Sequence, residues 1–222
     1  MWFRAVFEAA PIGIHVTSWE DHAAEGEKYR IETNRTYQQM LGYTGEEFAK
    51  MHLEEFSHPE DAVADRTLYS ELVSGKRQRY QIEKRYIAKD GQMFWGRYSA
   101  SAVRGEDGKL RLMIGTVEDI EEQKLAQDAL RKSEALFRAV FEGAGIGITV
   151  GGVDGKQLKS NPALARIFGY SEDELLHLSG QSISFPEEWE KQRPLREELM
   201  AGQRDQYQIE KRYIRKAGSL SW

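Results

Sequence analysis

The chain repeats part of its own sequence. Residues 3–8 (FRAVFE) recur as residues 137–142, an offset of 134, and residues 80–87 (YQIEKRYI) recur unchanged as residues 207–214, an offset of 127. A long internal repeat restricts the fold more than any single motif, because both copies must adopt one architecture. The 222 residues therefore predict two copies of one domain rather than one large domain.

The offset between the copies falls by seven, which places a seven-residue insertion of the first copy within residues 18–28. The second copy crosses the same place with a tight hairpin turn within residues 151–156. Its last residue, Trp222, aligns with Trp95, so residues 96–120 have no counterpart. We expect residues 1–120 to form a first domain, residues 121–136 a connecting helix, and residues 137–222 a second domain without its last two strands. We also expect the chain to be a fragment of a longer protein.

Each copy predicts an α+β domain. In the first copy, two strand-like segments are followed by three short helices, which start at capping residues, and then by three more strand-like segments. This order predicts a five-stranded antiparallel sheet with the short helices on one face, repeated twice.

Residues 119–136 predict a charged helix of a different kind. Asp119 with Glu122 predicts a capping box at its start. Small and apolar residues spaced by three and four, including Leu136, predict a coiled-coil-like stripe. Either a dimer seam or packing on the helix's own domain would explain this stripe.

Composition and spacing exclude several kinds of site. The absence of cysteine excludes disulfides, thiolate metal sites, cysteine nucleophiles and cysteinyl adducts. The five histidines have no metal-ligand spacing, and neither a phosphate-binding loop nor a nucleophile elbow is present. We therefore expect no catalytic site and no metal site in this chain.

Charge and hydropathy limit the partners. The formal net charge of −5 gives no general reason to bind nucleic acid. The sequence contains no run of eighteen apolar residues, the length that a helix needs to cross a bilayer. The N-terminus also lacks the features of a signal peptide. We expect a cytoplasmic protein that does not bind nucleic acid and has no membrane segment in this chain.

The order of the motifs resembles that of PAS sensory domains. These motifs are the Asn-capped helix, Gly-Tyr-Thr/Ser-x-x-Glu, His-Pro-Glu-Asp, Glu-Lys-Arg-Tyr, Lys-Asp-Gly-x-x-x-Trp and the closing Glu-Asp-Ile-Glu-Glu-Gln-Lys. The resemblance covers essentially the whole chain, as one complete and one truncated domain. Glu121 stands where the family's Asp-Ile-Thr element has Thr, which leaves Asp119 as the candidate that couples the last strand to the outgoing helix.

The resemblance implies a small-ligand pocket between the concave face of the sheet and the short helices. In the first copy, Tyr37, Met40, Trp95 and Met113 would line it. The alternative is that these residues fill a core without a cavity. The cofactor is unknown: haem is not expected because the helix after His58 carries no axial histidine, and cysteinyl-flavin is excluded by composition. A non-covalently bound flavin or a small metabolite remains open.

The resemblance also implies a function in signal transduction. The chain would be an input module that binds a small ligand or a partner and relays a signal through Asp119, Glu122 and Leu136. The output would be a downstream histidine kinase or diguanylate cyclase domain of a bacterial protein, and the module would form a homodimer through its PAS domains and connecting helix. The alternative is a ligand-free PAS scaffold for dimerisation and protein interaction. In neither case would the chain itself be an enzyme.

Overall fold

The computed structural model describes residues 2–19, 29–51, 55–152 and 157–222. The chain divides into two compact units, Met1–Ala129 and Leu130–Trp222, called here the first and second units. The predicted insertion and the predicted turn within residues 151–156 lie largely outside the described residues.

The first unit is built on one antiparallel sheet. Its elements before residue 120 are α1 (Trp2–Ala9), β1 (Gly13–Ser18), β2 (Arg30–Thr33), α2 (Arg35–Leu41), α3 (Gly45–Phe48), α4 (Pro59–Val73), β3 (Arg79–Ile87), β4 (Met93–Arg104) and β5 (Leu110–Asp119). The five strands pair in the order β2-β1-β5-β4-β3, antiparallel throughout. The predicted α+β fold with a five-stranded antiparallel sheet is confirmed. Helices α2, α3 and α4 pack on this sheet and enclose the core.

An asparagine fixes the start of α2 in the first unit and of its counterpart in the second. The Asn34 side chain accepts hydrogen bonds from the backbone of β1 and of α2, and donates to backbone carbonyls at and after the end of α1. Asn161 makes the same four bonds in the second unit. Both side chains are fully buried, and their hydrogen-bonding groups are satisfied as burial demands. Each asparagine therefore caps the start of its helix and also connects that helix by hydrogen bonds to the two elements before it.

Helix α5 (Glu121–Gly143) is continuous. The connecting helix predicted for residues 121–136 therefore runs on past residue 137, where the second copy of the repeat begins. The second unit continues with β6 (Thr149–Gly151), β7 (Gln157–Ser160), α6 (Pro162–Phe168), α7 (Glu172–His177), α8 (Pro186–Met200), β8 (Tyr213–Ile214) and β9 (Leu220–Ser221). None of the helices in the described part of the chain combines the length and the apolar character needed to cross a bilayer.

The repeated octapeptide adopts different structures in the two units. Residues 80–87 lie within β3, which pairs with β4 over nine residue pairs. In residues 207–214 only Tyr213 and Ile214 form a strand, paired with β9. Since the eight side chains are identical, the difference comes from the neighbouring strand and not from intrinsic propensity.

Candidate functional site

The first unit contains a cavity of about 550 Å³. Its walls come from β1, β2, β5, α2, α3 and α4, so it lies between the sheet and the short helices. The volume falls in the range of small-molecule pockets. A cavity of this size therefore lies in the first unit between the sheet and the short helices, where the resemblance implies a pocket.

A buried ion pair borders the cavity, with Asp65 in its wall and Lys84 behind Asp65. The side chains of Lys84 and Asp65 are 1% and 6% exposed, and the Lys84 ammonium donates to the Asp65 carboxylate. The same ammonium donates to Ser57 Oγ at 2.9 Å and lies 4.7 and 5.2 Å from the ring centroids of Tyr86 and Tyr98. Burial lowers the pKa of Lys84, and the charge of Asp65 opposes that shift. A pair this deeply buried is maintained only because each partner compensates the other.

A chain of polar and aromatic contacts extends from this pair to β1. Tyr80 Oη donates to Asp65 Oδ1 at 2.8 Å, and the Tyr80 ring packs edge to face on the Tyr98 ring, with centroids 5.7 Å apart. Tyr98 Oη and His15 Nε2 share a hydrogen bond of 3.0 Å. Burial, reinforced by the positive charge of Lys84, lowers the pKa of His15 to about 4. The imidazole is therefore neutral at pH 7, and the network contains one balanced pair of charges.

Two glycines make room for rings on the inner face of the sheet. Gly115 lies directly opposite His15 in the β1–β5 pairing, and a Cβ there would come within 2.0 Å of His15 Nε2. A Cβ at Gly96 would come within 2.5 Å of the Tyr86 ring. Both approaches are closer than van der Waals contact permits, so the sheet accommodates these rings only because the two positions lack side chains.

Tyr37 provides a hydroxyl that the network does not use. Its side chain is 2% exposed and lines the cavity, and burial raises its pKa well above the usual value. Within the described part of the chain, that hydroxyl has no hydrogen-bond partner. Because Tyr37 lines the cavity, its hydroxyl is a candidate donor or acceptor for a ligand.

The other residues predicted for the pocket lie in different places. Met113 lines the cavity together with Tyr37. Met40 packs against the core but does not line the cavity. Trp95 lies on the opposite face of the sheet, because alternation along β4 buries Gly96, Tyr98 and Ala100 on the inner face.

Trp95 instead contacts the start of α5. Its backbone N–H donates to Glu121 Oε2 at 2.8 Å, and Lys124 Nζ lies 4.9 Å from its ring centroid. Lys124 also forms an ion pair of 2.6 Å with Glu83 on β3. Glu121, which stands where the family's Asp-Ile-Thr element has Thr, therefore provides a hydrogen bond between the sheet and α5.

The three predicted relay residues have separate environments. Asp119 Oδ1 accepts a hydrogen bond of 2.8 Å from Glu121 N and so caps the helix. The reciprocal bond from Glu122 is absent among the described residues, so the predicted capping box does not form; the Glu121 carboxylate is the one that bonds back to the sheet. Leu136 lies farther along α5 and is 67% exposed.

Strand β3 joins the cavity wall to the helix contacts. Lys84 points inward, whereas its neighbours Glu83 and Arg85 point outward. On α4, Asp61 lies one turn before Asp65 and accepts from the backbone N–H and the guanidinium of Arg85 at 2.8 and 2.9 Å. The Arg85 guanidinium lowers the pKa of Asp61. Three consecutive residues of β3 therefore contact three different parts of the unit: Glu83 contacts the first turns of α5, Lys84 contacts Asp65 of the cavity wall, and Arg85 contacts α4.

Sequence reasoning missed the pair of Lys84 and Asp65. The glutamate, lysine and arginine at 83–85 suggest a ladder of exposed charges, which is correct for Glu83 and its partner Arg97 across the sheet. The alternation of buried and exposed residues along β3 could have indicated the buried pair, since Lys84 lies on the same inward face of the strand as Tyr80 and Tyr86. An inward lysine predicts a buried counter-ion.

The second unit repeats this arrangement with one chemical change. Lys211 Nζ donates to Ser184 Oγ at 2.7 Å and to Gln192 Oε1 at 2.5 Å, and Gln192 Nε2 donates to Tyr207 Oη at 2.7 Å. At the offset of 127 these residues correspond to Lys84, Ser57, Asp65 and Tyr80. An amide has therefore replaced the carboxylate, and the second lysine is bound by neutral oxygens.

The described residues contain no cluster of three or more histidine, aspartate or glutamate side chains that could bind a metal ion. The chemistry of the site is therefore that of the cavity, its hydrogen-bond network and the adjacent helix.

Comparison with known proteins gives a family match in both units. The family described as the PAS fold matches residues 30–117 and 157–222. Among curated proteins, the chain is 31% identical over 146 residues to the probable diguanylate cyclase DgcE of Escherichia coli (strain K12), covering 66% of this chain and 13% of that protein. It is 23% identical over 145 residues to the sensor histidine kinase TmoS of Ectopseudomonas mendocina, covering 65% and 14%. The chain thus spans about one seventh of the length of these relatives.

A solved structure with a similar fold is the sensory box histidine kinase/response regulator from Burkholderia thailandensis E264. It is 20% identical, covers 62% of this chain and 98% of that one, and has a TM-score of 0.45.

Proposed function

This chain belongs to the PAS family, and we propose that it is a sensory input module that binds a small organic ligand in the cavity of its first unit. The relay would run through β3 and α5 to an output domain of the same protein. The diguanylate cyclase and histidine kinase among its relatives support an output of one of these two kinds.

The cavity and its connection to α5 carry this proposal. Asp65 belongs both to the cavity wall and to the pair with Lys84. A ligand that displaces Asp65 would act on β3, whose outward residue Glu83 forms the ion pair with Lys124 of α5. Ligand binding can shift the helix only if the ligand prefers one arrangement of this connection to the other.

The lining suits an organic molecule with a few polar groups. Aromatic and apolar side chains such as Phe48, Phe56 and Met113 surround the space, and Tyr37 and Thr33 add neutral hydrogen-bonding groups. The ring system of a non-covalent flavin and a small metabolite are both compatible with this chemistry.

Native mass spectrometry and the visible absorbance of the purified chain test the proposal. We expect a bound mass besides that of the 222 residues, and a flavin would add a visible band. A matched control is Ala62→Trp, because Ala62 lines the cavity and the second unit has Trp189 at the corresponding position. This variant should lose the bound mass. If the native chain shows only its own mass under conditions that preserve complexes, it does not retain a ligand and the proposal fails.

The relay has its own test in Glu121→Gln. Loss of the carboxylate weakens the bond to Trp95 N, so amide exchange in residues 121–124 should become faster. Glu122→Gln is the matched control, because that side chain has no hydrogen bond to the sheet in the described structure. Equal exchange in the two variants would remove Glu121 from the relay.

An exposed apolar stripe on α5 favours a second candidate function, a scaffold for homodimerisation. Leu125, Leu136 and Val140 are each more than 60% exposed. We expect Leu136→Glu to weaken self-association in sedimentation velocity, because a charge would enter the seam. Unchanged sedimentation would exclude the helix as the dimer contact.

A further inference from the structure

Among the described residues in and directly behind the wall of the first cavity, the charges balance. The Lys84 ammonium and the Asp65 carboxylate neutralise each other, and His15 is neutral. Two further charged residues of the lining, Glu55 and Arg66, have opposite signs and are exposed. An ionic ligand would therefore lose its hydration inside the cavity without gaining an unpaired counter-ion, which is unfavourable in a low-dielectric site.

An anionic ligand faces a second obstacle in Asp65. The carboxylate lines the cavity, whereas Lys84 does not and is held behind it. An anion in the cavity would thus meet a like charge before it could approach the ammonium.

The second unit shows which residue imposes this balance. Its lysine, serine and tyrosine match those of the first unit, and the carboxylate alone is replaced by the amide of Gln192. Lys211 is 6% exposed, donates to neutral oxygens and lies beside the rings of Trp189 and Tyr213. Burial lowers its pKa, and the charge of Glu188 opposes that shift without a hydrogen bond to the ammonium. The same framework therefore tolerates a neutral residue opposite the buried lysine.

We propose that Asp65 determines the charge of the ligand that the first cavity admits: the native cavity takes an uncharged molecule, and removal of the Asp65 carboxylate converts this place into a site for a small carboxylate beside Lys84. The inference rests on the proposed function, since it specifies the ligand class of the same cavity. The entering carboxylate would take over the contacts of the lost one with Lys84 and Tyr80.

The experiment compares formate with formamide, which have nearly the same size and differ in charge. In Asp65→Ala the missing group is a carboxylate, and formate has the size to replace it. The thermal unfolding midpoint of the full chain is measured against the concentration of each compound at constant ionic strength and pH 7.5, and the shift gives the apparent affinity. We expect Asp65→Ala to bind formate at least tenfold more tightly than formamide, and the native chain to show no preference for formate.

The double variant Asp65→Ala/Lys84→Met is the matched control. Without the ammonium the preference for formate should disappear, whereas any effect of the enlarged space on formamide should persist. A preference that survives in the double variant, or equal affinities for the two compounds in Asp65→Ala, would overturn the inference. If Asp65→Ala does not fold, Asp65→Ser carries the same comparison, because it also removes the carboxylate and leaves most of the space.

The native ligand provides an independent outcome. A bound molecule without net charge at pH 7 supports the inference, and a bound carboxylate or phosphate overturns it while leaving the proposed function intact. A native chain that retains no ligand refutes the proposed function, yet the formate comparison still decides whether Asp65 controls the charge of the site.

Discussion

Acid should destabilise the first unit through His15. Its pKa falls from 6.5 in the unfolded chain to about 4 in the folded one because the ring is buried next to the charge of Lys84. Between these two values the unfolded chain binds a proton that the folded chain does not, so the free energy of unfolding decreases as the pH falls. The loss begins near pH 6.5 and is complete below pH 4.

The magnitude follows from the two pKa values. Their difference of about 2.5 units corresponds to about 3 kcal/mol at full effect, and to about 2 kcal/mol between pH 7 and pH 5. That is a large part of the stability of an ordinary domain. Below pH 5, carboxylates such as Asp61, whose pKa is lowered by Arg85, add losses of their own.

Urea unfolding at pH 7, 6 and 5 measures this effect, with the native chain compared with His15→Gln. The variant should be less stable at pH 7, since it loses the bond to Tyr98, but its stability should depend less on pH by about 2 kcal/mol over this range. His177→Gln is the control, because His177 is exposed in the second unit and lies outside the network around His15. An NMR titration of the His15 ring gives the folded pKa directly. A midpoint near 6.5, or the same pH dependence in His15→Gln, would refute the reasoning.

Two further predictions concern the packing of the same site. Gly115→Ala should destabilise the first unit by about 1–3 kcal/mol in urea unfolding because the new methyl group would overlap the imidazole opposite, whereas Gly143→Ala, with open space around it, should cost nothing; equal effects would mean that the inner face is not packed as described. Lys84→Met should cost about 3–5 kcal/mol because it leaves a buried carboxylate unpaired, and Lys211→Met should cost less because the two groups that accept hydrogen bonds from it are neutral. Equal costs in the two units would show that the carboxylate is not held as a buried charge.

The elements of the fold were predictable because local signals and tertiary structure agree. Alternation located β3, β4 and β5, and the asparagine caps located α2 and α6. The continuity of α5 could not be predicted from the repeat, because the second copy begins at residue 137, inside the helix. A repeat marks where homologous segments begin, but it does not show whether the helix before them ends.

The site was predictable only in part, since its chemistry depends on pairs that are distant in sequence. Tyr37 lies on the buried face of α2 and could be inferred from the helix alone. The family resemblance places Trp95 in the pocket, although Trp95 and Tyr98 are three positions apart on β4. An odd difference in position places two strand residues on opposite faces of the sheet. Asp65 and Lys84 come from a helix and a strand 19 residues apart, so either residue alone resembles an ordinary surface charge.

The octapeptide that occurs twice allows the protection from amide exchange that a neighbouring strand provides to be measured within one molecule. Residues 80–87 and 207–214 have the same side chains, so their intrinsic exchange rates and conformational preferences are nearly equal. The first copy is hydrogen-bonded to β4 along its length, and the second is paired only at its last two residues. The ratio of amide exchange rates at corresponding positions, read in one sample under one set of conditions, therefore reports the protection that tertiary structure adds to a fixed sequence.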